Sequence, residues 1–147
     1  MVEIVVVDNS VLMPLVYRDE DDTGSRRLIL AGASSVKLLC PALCMIEFGN
    51  GILNGVKRNP QRISKAAASL AFAELANLPL QFRDSVGTSS LAKIGDRAMQ
   101  LSLSFYDAVY LELAISENAK LATLDQPLAK AALVAGVPLW DWDEMDE

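Results

Sequence analysis

With 147 residues, 52% of them hydrophobic, the chain is long enough to bury a core as one domain, residues 1–147, without disulfides or a structural metal. It contains no histidine, which excludes Ser-His-Asp and Cys-His hydrolases, His-ligated zinc enzymes and histidine general bases, all of which need an imidazole titrating near neutrality; any hydrolysis must rest on carboxylates, a metal, lysine or tyrosine. The net charge of −6 speaks against a nucleic-acid partner, but nine of the nineteen acids lie in two clusters, at 19–22 and 141–147, and the remainder holds thirteen bases against ten acids, a net of +3.

Residues 4–7, Ile-Val-Val-Val, form a continuous β-branched run of the kind buried on both faces of a parallel sheet. The run has no basic leader and reads as a strand, not a signal peptide; with no apolar run near the roughly 18 residues that cross a bilayer, a cytoplasmic protein with no membrane partner is expected. Asp8-Asn-Ser10 then resembles a helix start, which makes a β-to-α junction. Helices are predicted from there to about residue 17 and over 23–33, flanking the acidic turn at 19–22. A second strand is predicted over 36–40, with Pro41 opening a helix that carries Glu47. Cys40 and Cys44 lie in this apolar stretch and, with no histidine to complete a zinc site, read as small core residues. Gly49, Gly51 and Gly55 make the helix glycine-rich, through close packing or because it ends early.

Asn59-Pro60 breaks the chain, and 61–77 is an Ala-rich helical segment whose Ile63, Ala67, Leu70 and Leu75 approximate one apolar face. Lys57, Arg58, Arg62 and Lys65 make the densest basic group, Arg26 and Arg27 a second. A short strand follows at 80–82, then helices over 91–103 and 105–117, a strand over 120–124, a helix over 126–135 and, after a turn at 136–139, a last short strand. Trp140 and Trp142 are expected to dock their rings while the neighbouring acids stay in water. Strands alternating with helices, and no hairpin signal between β-rich runs, predict an α/β domain in which a mostly parallel sheet carries helices on both faces.

In an open parallel sheet, ligands bind beyond the carboxyl ends of the strands. Asp8 and Asp125 each follow a predicted strand directly, so two distant parts of the chain deliver an acid to the same sheet edge. Either one alone also reads as a helix N-cap, Asp125 with Pro127 close behind it. Asp107, three residues after Ser104, reads as the acid of a capping box. Glu47 is different, because it interrupts the apolar run at 42–48, where a carboxylate without a partner is costly. Four carboxylates at one edge would repel one another unless bridged, and an oxygen-rich anionic pocket suits Mg²⁺ or Mn²⁺.

The pattern resembles the PIN-domain nucleases, most closely the VapC-type toxins of toxin–antitoxin pairs. The resemblance is carried by Val-Val-Val-Asp8-Asn-Ser10, by Cys-Pro41 to Glu47, by Phe-Tyr-Asp107-Ala-Val-Tyr-Leu-Glu-Leu-Ala114, and by Leu-Ala-Thr123-Leu-Asp125 with 128–132 behind it. It implies a three-layer α/β/α fold with a mostly parallel central sheet and an acidic site for one or two Mg²⁺ or Mn²⁺ ions. The implied activity is endonucleolytic cleavage of single-stranded or structured RNA by a chain that forms a homodimer and, as the toxin of a type II pair, is covered by an antitoxin protein. Asp8, Glu47, Asp107 and Asp125 match the family's metal-binding acids, and Ser10 and Thr123 its accessory hydroxyls. Where the family often has another polar or acidic residue after the last Asp, this chain has Gln126 and Pro127, which bears on a second metal position. A free-standing PIN-family RNA-processing nuclease and a catalytically inactive PIN-like interaction domain are the alternatives. A haloacid-dehalogenase-like phosphatase with Asp8 as nucleophile is disfavoured, because it requires a second Asp where this chain has Ser10.

Overall fold

A computed structural model describes residues 1–84 and 86–143. Strands β1 (Glu3–Val7), β2 (Val36–Pro41), β3 (Leu80–Arg83) and β4 (Lys120–Ala122) form one sheet in the order β3-β2-β1-β4, with every pairing parallel. β1 is central: Glu3 to Val6 run in register with Val36 to Leu39, and Val5 to Val7 with Lys120 to Ala122. Val5, Val6 and Val7 are fully buried, as a β-branched run with a neighbour on each side and cover on both faces must be. Helices α1 (Asn9–Leu12), α2 (Thr23–Ser34), α3 (Leu43–Arg58), α4 (Lys65–Leu75), α5 (Leu91–Leu101), α6 (Phe105–Ser116) and α7 (Gln126–Val134) fill the connections. The result is the expected three-layer α/β/α arrangement. No helix among the described residues is long and apolar enough to cross a membrane.

Helix α6 links core and site. Residues 108–114 are all buried, because the helix packs on β1 and β2 and also against α5, and a helix apolar around its circumference belongs inside. Glu112 is the one charge in that run. It is matched from α5 by Arg97 Nε at 2.5 Å and Lys93 Nζ at 3.8 Å, which offsets the desolvation of a carboxylate that is 8% exposed.

Several boundaries depart from the sequence-based expectation for identifiable reasons. The first helix stops at Leu12 and tightens into a 3₁₀ turn, Met13–Leu15, around Pro14, whose ring removes a donor from any continuing helix. Pro41 does not open α3; it ends β2 in register with Arg83, and the next bond to β3 comes from Ala42 N, which donates to Arg83 O at 2.7 Å. α4 begins at Lys65 behind a Ser64 cap, whose hydroxyl accepts from Ala67 N at 3.1 Å. Its buried face is Ala68 and Ala71, with Ala67 and Leu70 outside; where most positions are equally apolar, periodicity does not mark a face. β4 ends at Ala122, and beyond α7, among the described residues, only Leu139 bridges back, to Leu121.

Trp140 and Trp142 do dock against the core, and a Cβ on Gly24 would meet the Trp142 ring at 3.0 Å; the acids at 144–147 lie outside the described residues. Cys40 and Cys44 are free, buried thiols. α3 runs on to Arg58, and two of its three glycines mark close packing: a Cβ on Gly55 would overlap the hydroxyl of buried Tyr17, and one on Gly51 would lie 3.1 Å from Met13 Cε, whereas one on Gly49 would meet nothing. The acidic turn and the basic group meet. Arg62 donates to Asp19 at 2.7 Å and Glu20 at 2.8 Å, with its guanidinium 3.9 Å above the Tyr17 ring.

Candidate active site: four carboxylates at the sheet edge

Asp8 follows the last residue of β1, and its amide still donates to Ala122 O at 3.0 Å, so β4 holds its backbone. It occupies the N-cap position of α1, but its side chain makes no capping bond. Instead Ser10 Oγ at 2.6 Å and Thr123 Oγ1 at 2.8 Å both donate to Asp8 Oδ2. Each hydroxyl accepts in turn from the backbone beyond β4, Ser10 from Leu124 N at 2.9 Å and Thr123 from Asp125 N at 3.0 Å. The two hydroxyls therefore lash the end of β1 to the turn after β4. Asp8 is only 6% exposed. Burial raises its pKa, the two hydroxyl bonds pull it down, and the charge of Asp125 pushes it up again.

Asp125 caps α7 through Oδ1, which accepts from Leu128 N at 3.3 Å. Its capping and its place beside Asp8 are compatible, not rival, readings. Glu47 stands in the second turn of α3, half-buried, and accepts a 2.6 Å hydrogen bond from Tyr110 OH on its Oε1. Its pKa is raised by burial and by Asp8, against the Tyr110 bond. Asp107 lies in the first turn of α6, where its amide donates to the Ser104 cap at 3.1 Å. Burial, followed by the charges of Asp125, Asp8 and Glu47, pushes its carboxyl up to about 6.

Asp107 thus feels all three other acids, which come from the ends of β1 and β4 and from α3. Among the described residues, no three acidic or thiol side chains stand around a common point close enough to hold an ion as placed. The donor set nevertheless fits a hard divalent cation by its chemistry. Every candidate ligand is a carboxylate oxygen, and for Asp8, Glu47 and Asp107 what opposes the rise in pKa is in each case a hydrogen bond and not a cation. A pocket with negative charge left uncompensated is one a cation would stabilise.

Tyr110 is not singled out by the sequence, because a phenol in an apolar helix reads as core. One signal is present. Tyr110 sits three residues after Asp107, on the same helix face, and a buried phenol needs an acceptor.

The PIN domain family model matches residues 5–133. No curated protein sequence matches the chain. Among solved structures, PAE2754 from Pyrobaculum aerophilum is similar at 25% identity with a TM-score of 0.67, over 88% of this chain and 79% of that one. VapBC2 from Rickettsia felis, solved with a DNA fragment from its promoter, is 17% identical with a TM-score of 0.68, over 95% of this chain and 99% of that one. VapC20 from Mycobacterium tuberculosis, described as a sarcin-ricin loop cleaving toxin, is 15% identical with a TM-score of 0.64, over 86% and 94%. These likenesses agree with the parallel sheet, and with the match running from the central strand through most of the last helix, the chain belongs to the PIN domain family.

Proposed function

We propose that the chain is a divalent-metal-dependent endoribonuclease and the toxin of a type II toxin–antitoxin pair. The observation that carries this reading is the approach of Asp8, Glu47 and Asp125 to Asp107, whose carboxyl is pushed up to about 6 by burial and then by the charges of those three acids. Asp8 and Asp125 are the primary ligands in this scheme, with Glu47 and Asp107 completing the site directly or through water. One or two Mg²⁺ or Mn²⁺ ions would supply a water of lowered pKa and neutralise charge on the phosphoryl oxygens. Ser10 and Thr123 fix the Asp8 carboxylate by their paired bonds to Oδ2, and the Asp125 cap holds that acid at the head of α7.

In the test, purified protein is assayed on RNA with Mg²⁺ and with Mn²⁺. Cleavage is expected to fall by at least roughly a hundredfold in Asp8→Asn, as loss of a ligand should cost no less than loss of its outer partners. Full activity in that variant, or in excess EDTA, overturns the assignment.

The partner side of the proposal rests on two apolar hollows. One, of about 330 Å³, lies between the 3₁₀ turn, α2 and α4 and is lined by Leu12, Leu15, Ile29, Phe48, Leu75 and Leu78; it suits an apolar segment of an antitoxin. The other, beside the acids, is lined by Ile46, Val86, Phe105 and Tyr106, and a second copy of the chain is its proposed occupant.

A further inference from the structure

The Tyr110 hydroxyl is wholly enclosed, on a side chain with no exposed surface, and it lies 2.6 Å from Glu47 Oε1 across a sequence gap of 63 residues. A bond that short between a phenol and a carboxylate is charge-assisted and directional. Glu47 is otherwise poorly held: it has a long side chain with several rotatable bonds, it is half-buried, and Asp8 and Asp107 both repel it. Left to that repulsion, its carboxylate would turn away from the other three. Tyr110, by contrast, is locked by packing on all sides within the most buried helix of the molecule. It also shares a face of α6 with Asp107, one turn earlier.

We infer that Tyr110 is a positioning residue: α6 presents Asp107 to the site directly and, through the Tyr110 hydroxyl, holds the Glu47 carboxylate of α3 at the same site. One helix then sets two of the four carboxylates. Because a phenol has one proton to give, only one Glu47 oxygen is engaged and the other remains for a metal. The inference rests on the metal reading of the site and extends it to a residue outside the acidic set.

The test is a pair of variants of the full chain, Tyr110→Phe and Glu47→Gln, alone and combined, titrated with Mn²⁺ by calorimetry. Tyr110→Phe keeps the ring and removes only the hydroxyl, so its melting temperature in EDTA is expected to stay close to that of the parent. Its Mn²⁺ affinity is expected to fall by roughly tenfold, the lower end of what loss of a ligand's hydrogen-bond partner costs. In the Glu47→Gln background, the same change should cost nothing further. Unaltered Mn²⁺ binding by Tyr110→Phe overturns the inference, as does an equal loss in both backgrounds. Failure of Tyr110→Phe to fold in either background overturns it too, since the hydroxyl would then hold the fold and not the carboxylate. If the parent chain itself binds no Mn²⁺, the metal reading falls first, and that outcome is distinct from a parent that binds and a variant that binds equally well.

Discussion

Asp107 is the residue whose energetics are most readily measured. Its carboxyl is pushed up to about 6 in the folded protein from an ordinary value of 3.8, so the folded state holds a proton that the unfolded chain releases. The carboxyl therefore costs stability progressively as pH rises from near 3.8 to near 6, and the full cost persists above that. The whole shift would be worth about 3 kcal/mol. Solvent screening at a half-buried group reduces it, and the N-terminal dipole of α6 offsets up to about 1 kcal/mol, leaving roughly 1 kcal/mol. In EDTA at pH 7.5, Asp107→Asn should raise the melting temperature by roughly 3 °C, an advantage that disappears below pH 4; a scan showing no gain at pH 7.5 would refute the burial of Asp107 among other acids. The positions of Asp8 and Asp125 are legible from strand ends, and Glu47 from the cost of a lone acid in an apolar run. Tyr110 is not legible. Its role depends on a partner 63 residues away, and local pattern carries no trace of that.

At the level of elements, the sequence shows which segments are helices and strands better than which side each one buries. The Ala-rich segment at 61–77 is the clearest case: of the face that periodicity marks, Ile63 and Leu75 do turn to the core but Ala67 and Leu70 do not, and Ala68 and Ala71 are buried in their place, because alanine packs acceptably in any direction. The glycines of α3 are ambiguous for a related reason, since a missing side chain does not say what fills the space. The structure separates them, and the separation can be measured. Gly55→Ala drives a methyl into the Tyr17 hydroxyl; overpacking of this kind typically costs about 1–3 kcal/mol, which outweighs the helix-propensity gain of about 1 kcal/mol, so denaturant midpoints should fall. Gly49, where an added methyl would find nothing within 4 Å, should show only the propensity gain and become more stable by up to about 1 kcal/mol as alanine. Equal responses at the two positions would mean that Tyr17 does not pack on α3 as described.

For the molecule as a whole, the alternation of strands and helices specifies the parallel sheet and its layers because each segment repeats the same burial problem. Strand order and the nearness of Asp107 to Asp8, Glu47 and Asp125 are long-range features, and a single sequence yields them only through general rules about sheet edges. If the site holds a metal, binding must stabilise the fold by mass action. Mn²⁺ at a hundredfold excess over its dissociation constant should add about 2.7 kcal/mol, or roughly 8 °C in melting temperature. Most of that rise should vanish in Asp8→Asn, and a parent melting curve indifferent to Mn²⁺ would contradict the proposed metal site.

The strand order β3-β2-β1-β4 also sets a schedule. β1 can pair with β2 once Pro41 has been made, but its other neighbour, β4, begins only at Lys120, and Thr123, which grips Asp8, comes later still. During synthesis at about 5–20 residues per second, Asp8 therefore waits for several seconds without the hydroxyl that fixes it and without Asp125 beside it. A nascent chain that has reached α6 carries three of the four acids but not the constellation, so a site assembled this way stays incomplete until Thr123 and Asp125 have been made.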